Sequence, residues 1–99
     1  MSLWPRLHKG ARAEVRAAVR WYEERQDGLG REFYKAVDTT IDKVARGELP
    51  GLRALTPSAN RDIRWARVRR FPYKLYFEAI GTECVIDSGA APFRRQVNH

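Results

Sequence analysis

The stretch RRFPYKLYF, residues 69–77, decides the fold because it joins a strongly basic segment to a run of alternating apolar and polar residues. It overlaps a longer basic window, residues 61–74, which holds six cations and one anion against a formal net charge of +7 for the whole chain. Cations at this density in a strand-like segment cannot all be buried without partners. We therefore expect them to face water, a polyanion or an acidic protein.

Alternation of side chains predicts three strands in this region, at residues 63–70, 73–80 and 83 to about 89. The dipeptide Gly81-Thr82 is a connection of hairpin length. In the middle strand one face is apolar and the other is polar. The apolar face carries Tyr73, Leu75, Phe77 and Ala79, and the polar face carries Lys74, Tyr76 and Glu78.

Apolar residues at helical spacing predict two helices upstream, one over residues 11–26 and one from residue 29 to Gly47. Asp27-Gly28 ends the first helix and Gly47 ends the second, because glycine readily adopts the left-handed conformation that closes a helix. The link between the helices is only a few residues long. The two helices must therefore run antiparallel as a hairpin.

Two other segments are less regular. Residues 48–61 are rich in turn formers and are predicted to be a long loop, which is a candidate functional or mobile element. Residues 3–8 include Pro5, which would confine a strand there to the edge of a sheet. Together the patterns predict one domain over residues 1–99. Its class is α+β with two layers. An N-terminal helix hairpin packs on one face of an antiparallel β-sheet, and the other face of the sheet is open.

Composition narrows the classes of function. A pI near 10.2 favours an anionic partner, either nucleic acid or an acidic protein segment. The single cysteine, Cys84, excludes an internal disulfide and suits a small core residue in a reducing compartment. No apolar run is long enough to span a bilayer and no signal peptide is visible. We expect a cytoplasmic protein that binds no membrane, metal or cofactor.

The open face of the predicted sheet is the candidate site. Trp65, Arg67 and Arg69 share one face of their strand, and Lys74 and Tyr76 share one face of the next strand. Cations can hold phosphates and aromatic rings can stack bases. The alternative is a solvated charged face whose cations deter edge pairing. A second basic pair, Arg94-Arg95, either folds back beside the sheet or belongs to a frayed tail.

Several short motifs carry a resemblance to a known family. They are YEE at 22–24, GLG at 28–30 with Phe33, and RRFPY at 69–73 with Tyr76. In order, spacing and length, about residues 11–95 resemble the RelE/ParE superfamily of toxins, often called plasmid stabilisation proteins. The resemblance implies the fold predicted above and a cognate antitoxin whose acidic, flexible segment wraps the toxin. Trp4 and Pro5 offer an edge for an added strand, and a homo-oligomer is a further option.

The resemblance implies two mechanisms. RelE-like members cleave mRNA on the ribosome, whereas ParE-like members poison DNA gyrase. Lys74 stands where the nucleases have a catalytic arginine, and Arg67 matches one of their strand lysines. Trp65 stands where the nucleases have another lysine and so departs from their pattern. No histidine lies on the last predicted strand, so general acid–base catalysis has little support.

We therefore predict a ParE-like toxin, with an mRNA endoribonuclease as the alternative and a non-toxic interaction module or inactivated relic as a third option. If the chain is a nuclease, the candidate catalytic residues are Arg67, Lys74, Tyr76 and Arg94. The predicted target-binding or nucleic-acid-binding cations are Arg64, Arg67, Arg69, Arg70, Lys74, Arg94 and Arg95.

Overall fold

A computed structural model describes residues 2–54 and 61–91 and has the predicted α+β architecture. Within those ranges five strands form one sheet in the order β1-β5-β4-β3-β2. All neighbouring strands are antiparallel except β1 and β5, which are parallel. The elements in chain order are β1 (Trp4–Leu7), α1 (Lys9–Arg25), α2 (Leu29–Ala45), β2 (Leu52–Arg53), β3 (Arg64–Arg67), β4 (Lys74–Ile80) and β5 (Glu83–Ala90).

The helix hairpin is held together at its turn by the carboxylate of Glu23. The backbone N–H groups of Gly28 and Gly30 donate to its two oxygens, each at 2.9 Å. These donors belong to the first turn of α2, which has no helical partners for them. Gly30 also allows the helices to approach closely, because a Cβ atom there would lie 2.7 Å from the carbonyl oxygen of Val19. The YEE and GLG motifs therefore have a structural role in closing the hairpin.

The same contact predicts that the stability of the folded chain depends on pH. The two backbone N–H donors hold the pKa of Glu23 below its usual value of 4.5. A lowered pKa in the folded state adds stability that is present above pH 4.5 and is lost as the pH falls through the folded value. We expect Glu23→Gln to lower the thermal midpoint at pH 7, and the difference from wild type to shrink below pH 4.5. The neighbouring Glu24→Gln is the matched control, and equal melting curves for the two variants would contradict the assignment.

The core lies between the helix hairpin and one face of the sheet. An aromatic cluster forms its centre, where Phe33 of α2 lies 4.8–5.1 Å, centroid to centroid, from Tyr22, Phe71 and Tyr73. Phe71 and Tyr73 come from the RRFPYKLYF stretch, so the burial of these two rings anchors the stretch. Cys84 is 1% exposed, which confirms its place in the core, and burial raises the pKa of its thiol.

The structure corrects two sequence predictions at the loops. Residues 52–53 form a short strand, β2, inside the predicted 48–61 loop, and it pairs with Arg64 and Trp65. The predicted 63–70 strand ends already at Arg67. Beyond it the chain turns over residues 68–73, and the N–H of Val68 closes this turn by donating to the carbonyl oxygen of Tyr73 at 2.8 Å. Pro5 does lie in an edge strand, β1, as predicted.

No helix among residues 2–54 and 61–91 is long and apolar enough to cross a membrane. In the same ranges, no group of three or more His, Cys, Asp or Glu side chains is arranged to hold a metal ion.

Candidate target-binding site on the open face

The register of β3 and β4 brings together four side chains on the open face of the sheet. Trp65 lies opposite Tyr76, and Arg67 lies opposite Lys74. These four residues line a cavity of about 370 Å³, which we call the open-face pocket. The alternation of apolar and polar residues in the sequence predicted this juxtaposition. The remaining lining residues, which sequence reasoning did not assign to the site, are Pro72, Tyr73, Ala90 and Ala91.

The pocket is cationic and partly aromatic. The Nζ atom of Lys74 lies 4.3 Å from the centroid of the Trp65 ring, in a cation–π contact. Within the described parts of the chain, no carboxylate lies within ion-pairing distance of Arg67 or Lys74. Both residues are exposed. Their charge is therefore available to an anionic group from outside.

At the other end of the open face, the charge of Arg61 is neutralised by carboxylates of the chain itself. Arg61 donates to both carboxylate oxygens of Glu78, through Nε at 3.2 Å and through Nη2, and its Nη2 lies 3.6 Å from Asp87. The hydrogen bonds from Arg61 hold the pKa of Glu78 below its usual range. Burial, reinforced by Glu78, raises the pKa of Asp87 to about 6. Glu78 was predicted on this face as a solvated residue, but Arg61 covers it and leaves it 7% exposed.

The structure places three of the predicted target-binding cations away from the pocket. Arg64 shares the helix-facing side of β3 with buried Ala66, and its Nε donates to Asp62 at 3.2 Å. Arg69 was predicted beside Trp65 and Arg67, but it follows the end of β3 and lies in the turn. Arg70 lies in the same turn and donates to Glu32 of α2 at 3.0 Å. The early end of β3 is the physical reason for both displacements.

Two other predicted cations, Arg94 and Arg95, lie outside the described residues. Of the candidate catalytic set, Arg67, Lys74 and Tyr76 do meet in the open-face pocket. Trp65, which breaks the nuclease pattern, forms part of its wall.

Candidates for acid–base chemistry are sparse around the pocket. Among residues 2–54 and 61–91, no imidazole or carboxylate lines it. His8 is occupied elsewhere, because its Nδ1 accepts the N–H of Gly10 at 3.1 Å and caps α1. The titratable side chains that line the pocket there, apart from its two cations, are the phenols of Tyr73 and Tyr76. The pocket is thus better equipped to bind charge than to move protons.

Comparisons with known proteins address the fold. No protein-family model matches the sequence, and no curated protein matches it. Among solved structures, a chain described as "Chromosomal ParDE TA system from P. aeruginosa" superimposes with a TM-score of 0.71 at 14% sequence identity. The match covers 91% of this chain and 96% of that chain. This chain has a ParDE-type fold. The RelE/ParE-like architecture and the α+β class predicted from sequence are confirmed at the level of the fold.

Proposed function

We propose that the chain is the toxin component of a type II toxin–antitoxin system and that it acts, in the ParE-like manner, by binding DNA gyrase in the cytoplasm. The ParDE-type fold supports the toxin assignment. The observation that carries the binding mode is the open-face pocket. It offers two cations that have no carboxylate within ion-pairing distance among the described residues, and it is lined by the rings of Trp65, Tyr73 and Tyr76. Such a surface suits an acidic or phosphate-bearing region of a large target.

The chemistry of RNA cleavage argues for binding over catalysis. Attack of a ribose 2′-hydroxyl on phosphate requires a group to accept a proton, an acid for the leaving oxygen and cations for the developing charge. Arg67 and Lys74 meet the last requirement. For the first two, the described part of the pocket offers phenol groups alone and no imidazole or carboxylate.

The proposal is tested by inducing the chain in growing cells. Protein synthesis is followed by pulse-labelling, and DNA damage is measured in parallel. Poisoning of gyrase predicts filamentation and DNA damage while protein synthesis continues at first. Prompt loss of protein synthesis with cleaved mRNA would contradict it and favour the nuclease. Unimpaired growth, with or without the neighbouring gene, would indicate an interaction module or a relic.

One observation keeps the mRNA endoribonuclease as a second candidate. The pocket holds Arg67, Lys74 and Tyr76 on one surface beside Trp65. Two cations that could stabilise phosphate charge, a hydroxyl group and a ring that could stack a base therefore lie together. In this alternative Tyr76 assists the proton transfers.

Tyr76→Phe separates the two candidates because it removes the hydroxyl and retains the ring. If the chain acts by binding, we expect target affinity to fall by less than about tenfold, the value of one hydrogen bond, and growth inhibition to persist. If the chain is a nuclease that uses Tyr76, cleavage should fall by about a hundredfold or more. Growth inhibition over a range of inducer concentrations, together with mapping of mRNA ends, distinguishes these results.

A further inference from the structure

The β5 side of the open-face pocket is made of backbone and small side chains. Ala90 lies opposite Lys74 in the strand register, and both residues line the pocket together with Ala91. The two alanines carry methyl groups alone, so they cannot adjust to a ligand by changing rotamer. The shape of this side of the pocket is therefore set by the course of the β5 backbone.

The last part of β5 has a neighbouring strand on one side alone. β1 pairs with residues 83–86 of β5, and the N–H of His8 donates to the carbonyl oxygen of Ile86 at the end of this pairing. The chain then enters α1, whereas β5 continues to Ala90. The outer edge of residues 87–90 therefore lies next to a helix, and pairing with β1 does not hold it in place.

A β-bulge makes the same segment irregular on its inner edge. Phe77 of β4 pairs with Ile86, but the preceding residue, Tyr76, pairs with Ser88. Asp87 is the extra residue, and a bulge of this kind disrupts the ladder locally and bends its strand. The end of β5 therefore needs a further contact to fix its course beside the pocket.

Glu14 of α1 provides this contact. The N–H of Gly89 donates to its Oε1 atom at 3.0 Å, although the two residues are 75 positions apart. A charged acceptor makes such a hydrogen bond about twice as strong as one between neutral groups. Helix α1 is itself held in the core by buried residues that include Val15 and Ala18. The carboxylate thus takes the place of a strand carbonyl and ties the end of β5 to a fixed helix.

Gly89 is buried, and its lack of a side chain makes room for the ring of Tyr73. A Cβ atom at position 89 would overlap the hydroxyl oxygen of Tyr73 and would lie 2.7 Å from two of its ring carbons. The ring is fully buried, and on another side it packs on Phe33 at a centroid distance of 5.0 Å. The open-face pocket is a free volume that the ring adjoins, so an added side chain would push the ring toward the pocket.

We infer that Glu14 and Gly89 are positioning residues of the open-face pocket: Glu14 fixes the end of β5, and Gly89 seats the Tyr73 ring against it. In the described structure neither residue lines the pocket, so both act through the groups that do. Together they keep open the cavity of about 370 Å³. The effect on target binding rests on the proposed function, whereas the effect on the geometry of the pocket does not.

The contact between Glu14 and Gly89 is tested without any target, by amide hydrogen exchange of the full chain followed by NMR. We expect Glu14→Ala to accelerate exchange of the Gly89 amide by about tenfold or more, because a charge-assisted hydrogen bond is lost. Glu14→Gln keeps an acceptor oxygen and should stay within about threefold of wild type. The matched control is Glu24→Ala, which removes an exposed carboxylate from the same helix and should change nothing. Equal exchange in wild type and Glu14→Ala would overturn the role of Glu14.

The same variants test whether the contact shapes the pocket. The methyl resonances of Ala90 and Ala91 should shift in Glu14→Ala and should stay close to wild type in Glu14→Gln and Glu24→Ala. Binding to purified gyrase holoenzyme, measured well below every thermal midpoint, should weaken by about tenfold in Glu14→Ala and recover to within about threefold in Glu14→Gln. A purely structural role would lower the thermal midpoint without this loss of affinity.

The two ways of failing are distinguishable. If the Gly89 amide and the alanine methyl groups respond but gyrase affinity does not, the positioning role is wrong and the proposed target stands. If the wild-type chain does not bind gyrase, the proposed target is wrong. The exchange rates and methyl shifts then still decide whether Glu14 shapes the pocket.

Gly89→Ala tests the seat of the Tyr73 ring. We expect it to weaken gyrase binding by about tenfold or more, and Tyr73→Phe in the same chain to recover part of the loss by removing the overlapping hydroxyl. The control is Gly10→Ala, whose Cβ atom would lie at an ordinary 3.6 Å from Nδ1 of His8. If Gly89→Ala does not fold, restored folding in the double variant supports the same conclusion. Full affinity in Gly89→Ala, or no recovery in the double variant, would overturn the role of Gly89.

Discussion

We expect the replacement of both Arg67 and Lys74 by alanine to abolish growth inhibition while the protein stays folded. Both side chains are exposed and line the open-face pocket, so their removal leaves the core intact. Each charge-assisted hydrogen bond to a target contributes about 1.5–3 kcal/mol, so the loss of two weakens binding by about a hundredfold or more. The measurement is growth after induction from a graded promoter, with protein levels matched by immunoblot.

The matched control is Arg12→Ala with Arg16→Ala, which removes two exposed cations from α1 and so lowers the net charge equally. We expect this variant to remain as inhibitory as wild type. Inhibition by the pocket variant at wild-type levels would exclude the open-face pocket as the contact surface. Loss of inhibition in both variants would mean that net charge, and not the pocket, carries the effect.

Phe33→Ala is expected to cause the largest loss of stability. The Phe33 side chain is fully buried at the centre of the aromatic cluster, in contact with Tyr22, Phe71 and Tyr73. Truncation of such a ring costs about 3–5 kcal/mol, which is a large share of the stability of a domain of this size. We expect the thermal midpoint to fall by about 15 °C or more. Urea denaturation followed by circular dichroism measures the free energy of unfolding directly.

The adjacent Tyr34→Ala is the control for this prediction. Tyr34 is on the same helix but is 57% exposed, so its removal should change the free energy of unfolding by about 0.5 kcal/mol or less. Comparable losses in the two variants would contradict the placement of Phe33. A specific loss at Phe33 should also disturb the open-face pocket, because Tyr73 packs on Phe33 and lines that pocket.

Local patterns in the sequence were sufficient to predict the two helices and the main strands. The helices end within about two residues of the predicted positions. Gly47, with positive φ, closes α2 as predicted, whereas α1 ends at an extended cap residue, Gln26, and Gly28, with positive φ, is the N-cap of α2. Alternation along β4 correctly placed Leu75 in the core and Lys74 outside it. The same alternation found the residues that meet in the pocket, since a strand's period of two needs no tertiary information.

The features that the sequence did not predict depend on contacts between distant residues. The turn that ends β3 is fixed by the burial of Phe71 among the rings of α1 and α2. The two-residue β2 strand is too short to leave a pattern, and it exists because it pairs with β3. Glu78 is buried because Arg61, seventeen positions earlier, covers it.

The most direct test of the account is equilibrium binding between the purified chain and purified DNA gyrase holoenzyme. We predict saturable binding by the wild-type chain and by the α1 control variant, and a loss of about a hundredfold or more when Arg67 and Lys74 are both alanine. Failure of the wild-type chain to bind gyrase, or equal binding by the pocket variant, would contradict the claim that these open-face cations bind the target.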